Sequence, residues 1–123
     1  MSKKIIVVDD SGTARLQVRN ALASAGFDIV EAVDGLDGIA KVDANGDASV
    51  VLCDVNMPNM NGIEMLVALK EQKKGTTMSF LMLTTEAEAA MIRRAKDVGA
   101  KGWIVKPFKA HLLLAAVSRL AGV

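Results

Sequence analysis

The sequence predicts an α/β domain in which five parallel strands alternate with five helices. Three observations lead to this fold class. Short, near-continuous apolar runs recur along the chain, as strands covered on both faces require. Stretches with helical apolar spacing fill the gaps between them. Glycines stand where those helices should stop. Such alternation builds βαβ units, a parallel sheet and right-handed crossovers.

The elements follow in chain order. Strands are read at Lys4–Asp9, Asp28–Ala32, Ala48–Asp54, Phe80–Thr84 and Gly102–Val105. The first helix shows its apolar face in Ala14, Val18, Ala21 and Ala25, and the last in Leu113, Ala116, Val117 and Leu120. Between them, residues Gly35–Ala44, Gly62–Lys73 and Glu86–Val98 are helical in composition. Gly26, Gly46, Gly75 and Gly99 are expected to close helices in the left-handed conformation.

A length of 123 residues suits one domain with one core, expected to span residues 1–123 without an output domain. The formal net charge is +1, so no basic balance argues for nucleic acid. Three Phe, one Trp and no Tyr are too few for a base-stacking platform. The apolar runs are too short to span a bilayer, and MSKK at the start leads into no signal-peptide core. A single Cys excludes an internal disulfide and fits a reducing cytoplasm.

A parallel sheet takes its ligand outside the carboxyl ends of its strands. Those ends read Asp9 and Asp10, then Asp54, Thr84 and Lys106. Adjacent carboxylates repel unless a positive group joins them. Mg²⁺, which prefers oxygen ligands and one or two carboxylates, would join Asp9, Asp10 and Asp54. The competing reading makes Asp10 a helix cap ahead of Ser11, Gly12 and Thr13. Asp54 leaves a buried strand and enters a loop rich in Asn, Pro and Gly. A carboxylate there can attack phosphorus to form an aspartyl phosphate. Lys106 would supply a point charge and the Thr84 hydroxyl one hydrogen bond, which suits phosphoryl transfer by positioning and electrostatics. Pro107 restricts Lys106 to extended backbone, and the bond between them can be cis.

Four stretches together resemble the receiver domain of bacterial two-component response regulators. They are VVDDS at Val7–Ser11, LCDVNMPNMNG at Leu52–Gly62, LMLTTE at Leu81–Glu86 and VKPF at Val105–Phe108. The resemblance covers essentially the whole chain and is greatest to single-domain chemotaxis regulators of the CheY type. It implies a flavodoxin-like (βα)5 fold with strand order 2-1-3-4-5. It implies that Asp54 accepts a phosphoryl group from a histidine kinase, and that Asp9, Asp10, Asp54 and the Asn56 backbone carbonyl hold Mg²⁺. Thr84 and Trp103 become the switch pair, and Asn56 and Glu86 the positions that tune loss of the phosphate. Trp103 stands where Tyr or Phe is usual; it lacks the Tyr hydroxyl, and its bulk is expected to hinder inward rotation. Thr85 fills a place where a small residue is usual. The partners implied are a histidine kinase, a flagellar motor switch protein or another downstream protein, and a phosphatase, for a cytoplasmic monomer that binds neither nucleic acid nor membrane.

Three further readings use the same residues. A phosphorelay shuttle outside chemotaxis would share all of the chemistry. A Mg²⁺-dependent aspartyl-phosphate hydrolase would need an acid two residues after the nucleophile, where this chain has Asn56. A flavin carrier would need a hydroxyl-rich phosphate loop after the first strand, where Asp9 and Asp10 would repel the phosphate. The remaining conspicuous residues read blandly. Cys53 is a buried thiol and His111 a surface residue. Met57, Met60, Met65, Met82 and Met91 are filler, and Arg93, Arg94 and Lys96 form a solvated helix face.

Overall fold

The computed structural model describes residues 3–123, so the first two residues of MSKK lie outside it. Five strands, β1 (Lys4–Val8), β2 (Asp28–Ala32), β3 (Val50–Cys53), β4 (Ser79–Thr84) and β5 (Ala100–Val105), alternate with five helices. The helices are α1 (Gly12–Leu22), α2 (Gly35–Ala44), α3 (Gly62–Glu71), α4 (Ala89–Asp97) and α5 (Ala110–Ala121). The sheet is parallel throughout, in the order β2-β1-β3-β4-β5.

Successive side chains of a strand face opposite ways, so the sheet divides the core in two. Ile6, Val8, Val51, Cys53, Phe80 and Met82 pack with Ile63, Met65 and Leu69 of α3 on one face. Ile5, Val7, Leu52, Leu81 and Leu83 pack with Val18 and Leu22 of α1 and Leu113 and Val117 of α5 on the other. The three central strands are buried along almost their whole length, which is why they read as unbroken apolar runs. The five Met residues read as filler all belong to the first face or pack against it.

Several element ends differ from the sequence reading, each for a local reason. Ala25 is exposed and Leu22 takes its place in the core, because the chain tightens into a 3₁₀ turn at Ala23–Ala25 and leaves the α-helical period. Gly26 closes that turn with φ 75°. Gly46 closes nothing in the left-handed region; Asn45 ends α2 with φ −126°. Helix α3 stops at Glu71, since Lys73 itself turns left-handed at φ 55° and Lys74 N–H bonds back to the Leu69 carbonyl. Gly75 does have positive φ, but in the turn beyond. β5 begins at Ala100, two residues before Gly102, with a register shift against Phe80 and Leu81 that leaves Lys101 unmatched.

Candidate functional site

The carboxyl ends of β1, β3, β4 and β5 open onto one edge of the sheet. Asp9 and Asp54 lie one residue beyond their strands, yet both keep a ladder bond: Asp9 N–H donates to the Ala32 carbonyl at 3.1 Å and Asp54 N–H to the Val8 carbonyl at 3.0 Å. Lys106 N–H donates to the Thr84 carbonyl at 2.8 Å. The backbone thus carries these side chains to the edge on hydrogen bonds that continue the sheet. The Lys106–Pro107 bond is cis.

One ammonium ties the cluster together. Lys106 Nζ lies 2.7 Å from Asp9 Oδ2 and 3.1 Å from Asp54 Oδ2. Burial draws the Lys106 pKa down, but the hydrogen bonds to Asp9 and Asp54 outweigh it and hold the group above its ordinary value. The second oxygens are also engaged: Asp9 Oδ1 accepts from Ser11 N–H at 2.9 Å, and Asp54 Oδ1 from Asn56 N–H at 3.2 Å. Both acids are buried, whereas Asp10 is exposed.

Asp10 does not cap α1. Ser11 does, its Oγ accepting from Ala14 N–H at 3.2 Å. The Asp10 carboxylate instead faces the other two acids: one oxygen from each of Asp9, Asp10 and Asp54 lies within 4.8 Å of the rest. The donor set is all oxygen, hard and anionic. Three carboxylates against the single Lys106 ammonium leave the cluster short of positive charge. Both properties fit Mg²⁺. A shallow depression of about 510 Å³ opens beside Asp10, bordered by Asn56, Met57 and Asn61.

Thr84 is fully buried, and its Oγ1 accepts from Glu86 N–H at 3.2 Å, a bond that does not use the hydroxyl hydrogen. The Glu86 carbonyl accepts from the Trp103 indole N–H at 2.8 Å. With both backbone groups engaged, Glu86 stays in the loop, and α4 begins at Ala89 and not at Glu86. Trp103 lacks the Tyr hydroxyl but brings an indole N–H of its own. Through it the half-buried ring is already tied to the loop after β4.

Asn61 caps α3 in a reciprocal box with Glu64 and so fixes the loop after Asp54. Cys53 is wholly buried, and burial followed by the nearby Asp54 and Asp9 charges pushes its thiol pKa up, so it is inert. His111, Arg93, Arg94 and Lys96 are exposed, as read.

The chain matches the response regulator receiver domain over residues 5–118. It belongs to that family. This receiver is 37% identical over 111 residues to the chemotaxis protein CheY1 of Helicobacter pylori, covering 89% of this chain and 90% of that one. It is 38% identical to the CheY homolog of Campylobacter jejuni, covering 89% and 85%. The crystallised chemotaxis protein CheY4 of Vibrio cholerae superposes with a TM-score of 0.89 at 38% identity, over 98% of this chain and 99% of that one. The receiver is therefore of CheY-like build, with the acidic group and strand order its sequence led one to expect. Among the described residues no helix is long and apolar enough to cross a membrane.

One group at the edge escaped the sequence reading. Arg15 and Arg19 of α1 both bind Glu31 of β2, and Arg15 also reaches the Asp9 carbonyl. Two signals for it existed: arginines four apart on one helix, and a lone acid inside the apolar run IVEA.

Proposed function

We propose that this receiver is a stand-alone response regulator of a two-component system. Its Asp54 accepts a phosphoryl group from a histidine kinase in a Mg²⁺-dependent reaction, and it signals by phosphorylation-dependent protein binding. The observation that carries the proposal is the Lys106 ammonium bridging Asp9 and Asp54 at the carboxyl edge of the sheet. An Asp54 oxygen attacks the phosphorus of a phosphohistidine. The P–O bond forms as the P–N bond breaks, and the imidazole nitrogen keeps the electron pair and takes a proton from water.

Lys106 offers a positive charge to the transferred oxygens, and the Thr84 hydroxyl donates one hydrogen bond. Asp9, Asp10, Asp54 and the Asn56 carbonyl would hold Mg²⁺, which when bound supplies charge against the phosphoryl oxygens. The aspartyl phosphate adds roughly −1.5 to −2 charge units, by analogy with other phosphorylated side chains. That charge draws on Thr84 and Lys106 and, through the Glu86 loop, on Trp103. A surface beyond the site then shifts between two states. Asn56 and Glu86 flank the phosphate and tune its loss to water.

The names of the relatives favour chemotaxis, with a flagellar motor switch protein as the cytoplasmic target. Incubation with acetyl phosphate and Mg²⁺ should add one phosphoryl group per chain, read by intact mass. Asp54→Asn should abolish it, and equal labelling of that variant would remove Asp54 as the acceptor. Lys106→Ala should still accept phosphate but fail to increase partner binding.

A further inference from the structure

All four polar groups of Asp9 are engaged. Its N–H bonds the Ala32 carbonyl and its carboxylate takes Ser11 N–H and Lys106. Its carbonyl accepts the shortest of these bonds, 2.6 Å from Arg15 Nη1. That guanidinium is itself held. Its Nε donates to Glu31 Oε1 at 2.9 Å, and the other Glu31 oxygen takes two bonds from Arg19, at 2.7 Å and 3.2 Å. Glu31 sits on β2 in register with Val7, two residues before Asp9. The Arg19 bond, opposed by burial and joined by the Arg15 bond, holds the Glu31 carboxyl below its ordinary value, so it remains an anion at neutral pH. Arg15 is mostly buried, with 17% of its side chain exposed.

An α1–β2 tie would need only one arginine on Glu31. Two are present, and only Arg15 extends past Glu31 to the backbone of an acid in the pocket. The planar guanidinium can do both at once because its N–H groups diverge in a fixed fork. We infer that Arg15 is a positioning residue for the acidic pocket: oriented by Glu31 and Arg19, it pins the Asp9 peptide so that the Asp9 carboxylate stands in place for the metal and Lys106. The inference rests on the reading of the site as a Mg²⁺-dependent phosphoacceptor.

Charge and position predict opposite signs, which makes the role measurable. Acting only as a cation, Arg15 would repel Mg²⁺, and removing it would tighten binding. Acting by position, Arg15 holds the ligand cage, and removing it loosens binding. Isothermal titration of the whole protein with Mg²⁺, without phosphodonor, separates the two. Arg15→Ala should weaken Mg²⁺ binding by about tenfold or more, the lower end of what one charged hydrogen bond is worth. Arg19→Ala, which also loosens Glu31 but leaves the Asp9 contact, should change it less than twofold while lowering the melting temperature comparably. With acetyl phosphate, the Arg15→Ala loss should be recovered by raising Mg²⁺. Unchanged or tighter binding in Arg15→Ala, or an equal loss in Arg19→Ala, would overturn the inference. Absence of any Mg²⁺ binding by the unaltered protein would instead overturn the metal reading on which it rests.

Discussion

Lys106 Nζ meets Asp54 Oδ2 at 3.1 Å across 52 positions of the chain, and shares itself with Asp9 at 2.7 Å. A cation between two buried acids is their counter-charge whenever no metal is present. Removing one partner of a buried pair strands the other, at a cost of roughly 3–5 kcal/mol. The Lys106 side chain keeps 17% exposure, which places the cost at the low end. Lys106→Ala should therefore lower the unfolding free energy by about 3 kcal/mol in EDTA, read by urea denaturation. Added Mg²⁺ should restore more stability to the variant than to the parent, since the metal replaces the lost charge. Equal midpoints in EDTA would mean that the ammonium balances nothing.

The same pair sets an alkaline limit. The folded Lys106 pKa lies above the ordinary 10.5, so the folded state holds this proton more tightly than the unfolded chain. The contribution is complete below the unfolded value and is lost as pH climbs through the higher folded one. The difference in unfolding free energy between the parent and Lys106→Ala should stay flat from neutral pH to about pH 10 and shrink above it. A difference that grows with alkalinity would give the shift the opposite sign.

Asp10 is the exposed member of the acidic trio, and among the described residues it has no ion pair. Without metal, its charge only adds repulsion to Asp9 and Asp54. Asp10→Asn should raise stability in EDTA by about 0.5 kcal/mol, the scale of exposed charge pairs. It should also remove most of the melting-temperature gain that Mg²⁺ gives the parent. Greater stability in EDTA together with a lost metal response would identify an acid kept for ligation at the expense of the fold. A full Mg²⁺ response in the variant would count against Asp10 as a ligand.

The Trp103 indole ties β5 to the loop after β4 through the Glu86 carbonyl. Trp103→Phe keeps an aromatic ring but deletes this donor, at a cost of about 1 kcal/mol. Amide exchange at Glu86, whose N–H is bonded to Thr84 Oγ1, should quicken, because that loop loses one of the few bonds holding it. Unchanged exchange there would show that the loop is held by other contacts.

What the sequence revealed depended on how each feature is encoded. Strands such as Val50–Cys53 are buried on both faces and stand out as apolar runs, and the acids that follow them are conspicuous for that reason. Strand order came only by resemblance, because adjacency in a parallel sheet leaves no trace in local pattern. The end of α3 was misplaced because Lys73, and not a glycine, adopts the left-handed turn. The start of α4 was misplaced because Glu86 is held out of the helix by Thr84, two positions before it, and by the Trp103 indole of β5. The Arg15–Asp9 contact was invisible for the same reason: a side chain on a helix meets a backbone carbonyl, and carbonyls carry no residue signature.

Gly62 stands where the loop after Asp54 turns into α3. A Cβ there would collide with the Asp54 backbone oxygen and come within 2.9 Å of Cys53 Sγ and Met82 Cε. Neither side can give way. Gly62 N–H is bonded to the Val55 carbonyl at 3.0 Å, the Asn61–Glu64 box fixes the helix start, and Cys53 and Met82 are fully buried. Gly62→Ala should cost about 3 kcal/mol, the upper part of the usual overpacking range. Because the blocked atom belongs to Asp54 itself, acetyl phosphate labelling should slow even at temperatures where the variant is folded. Gly46→Ala is the matched control: an added Cβ there meets nothing within 4 Å, and its φ lies outside the left-handed region. That change should leave stability unaltered or raise it by up to about 1 kcal/mol through the unfolded chain. If Gly62→Ala labelled at the rate of the parent, the α3 start would not govern Asp54, and the rigidity argued for this edge would have to come from the β-ladder alone.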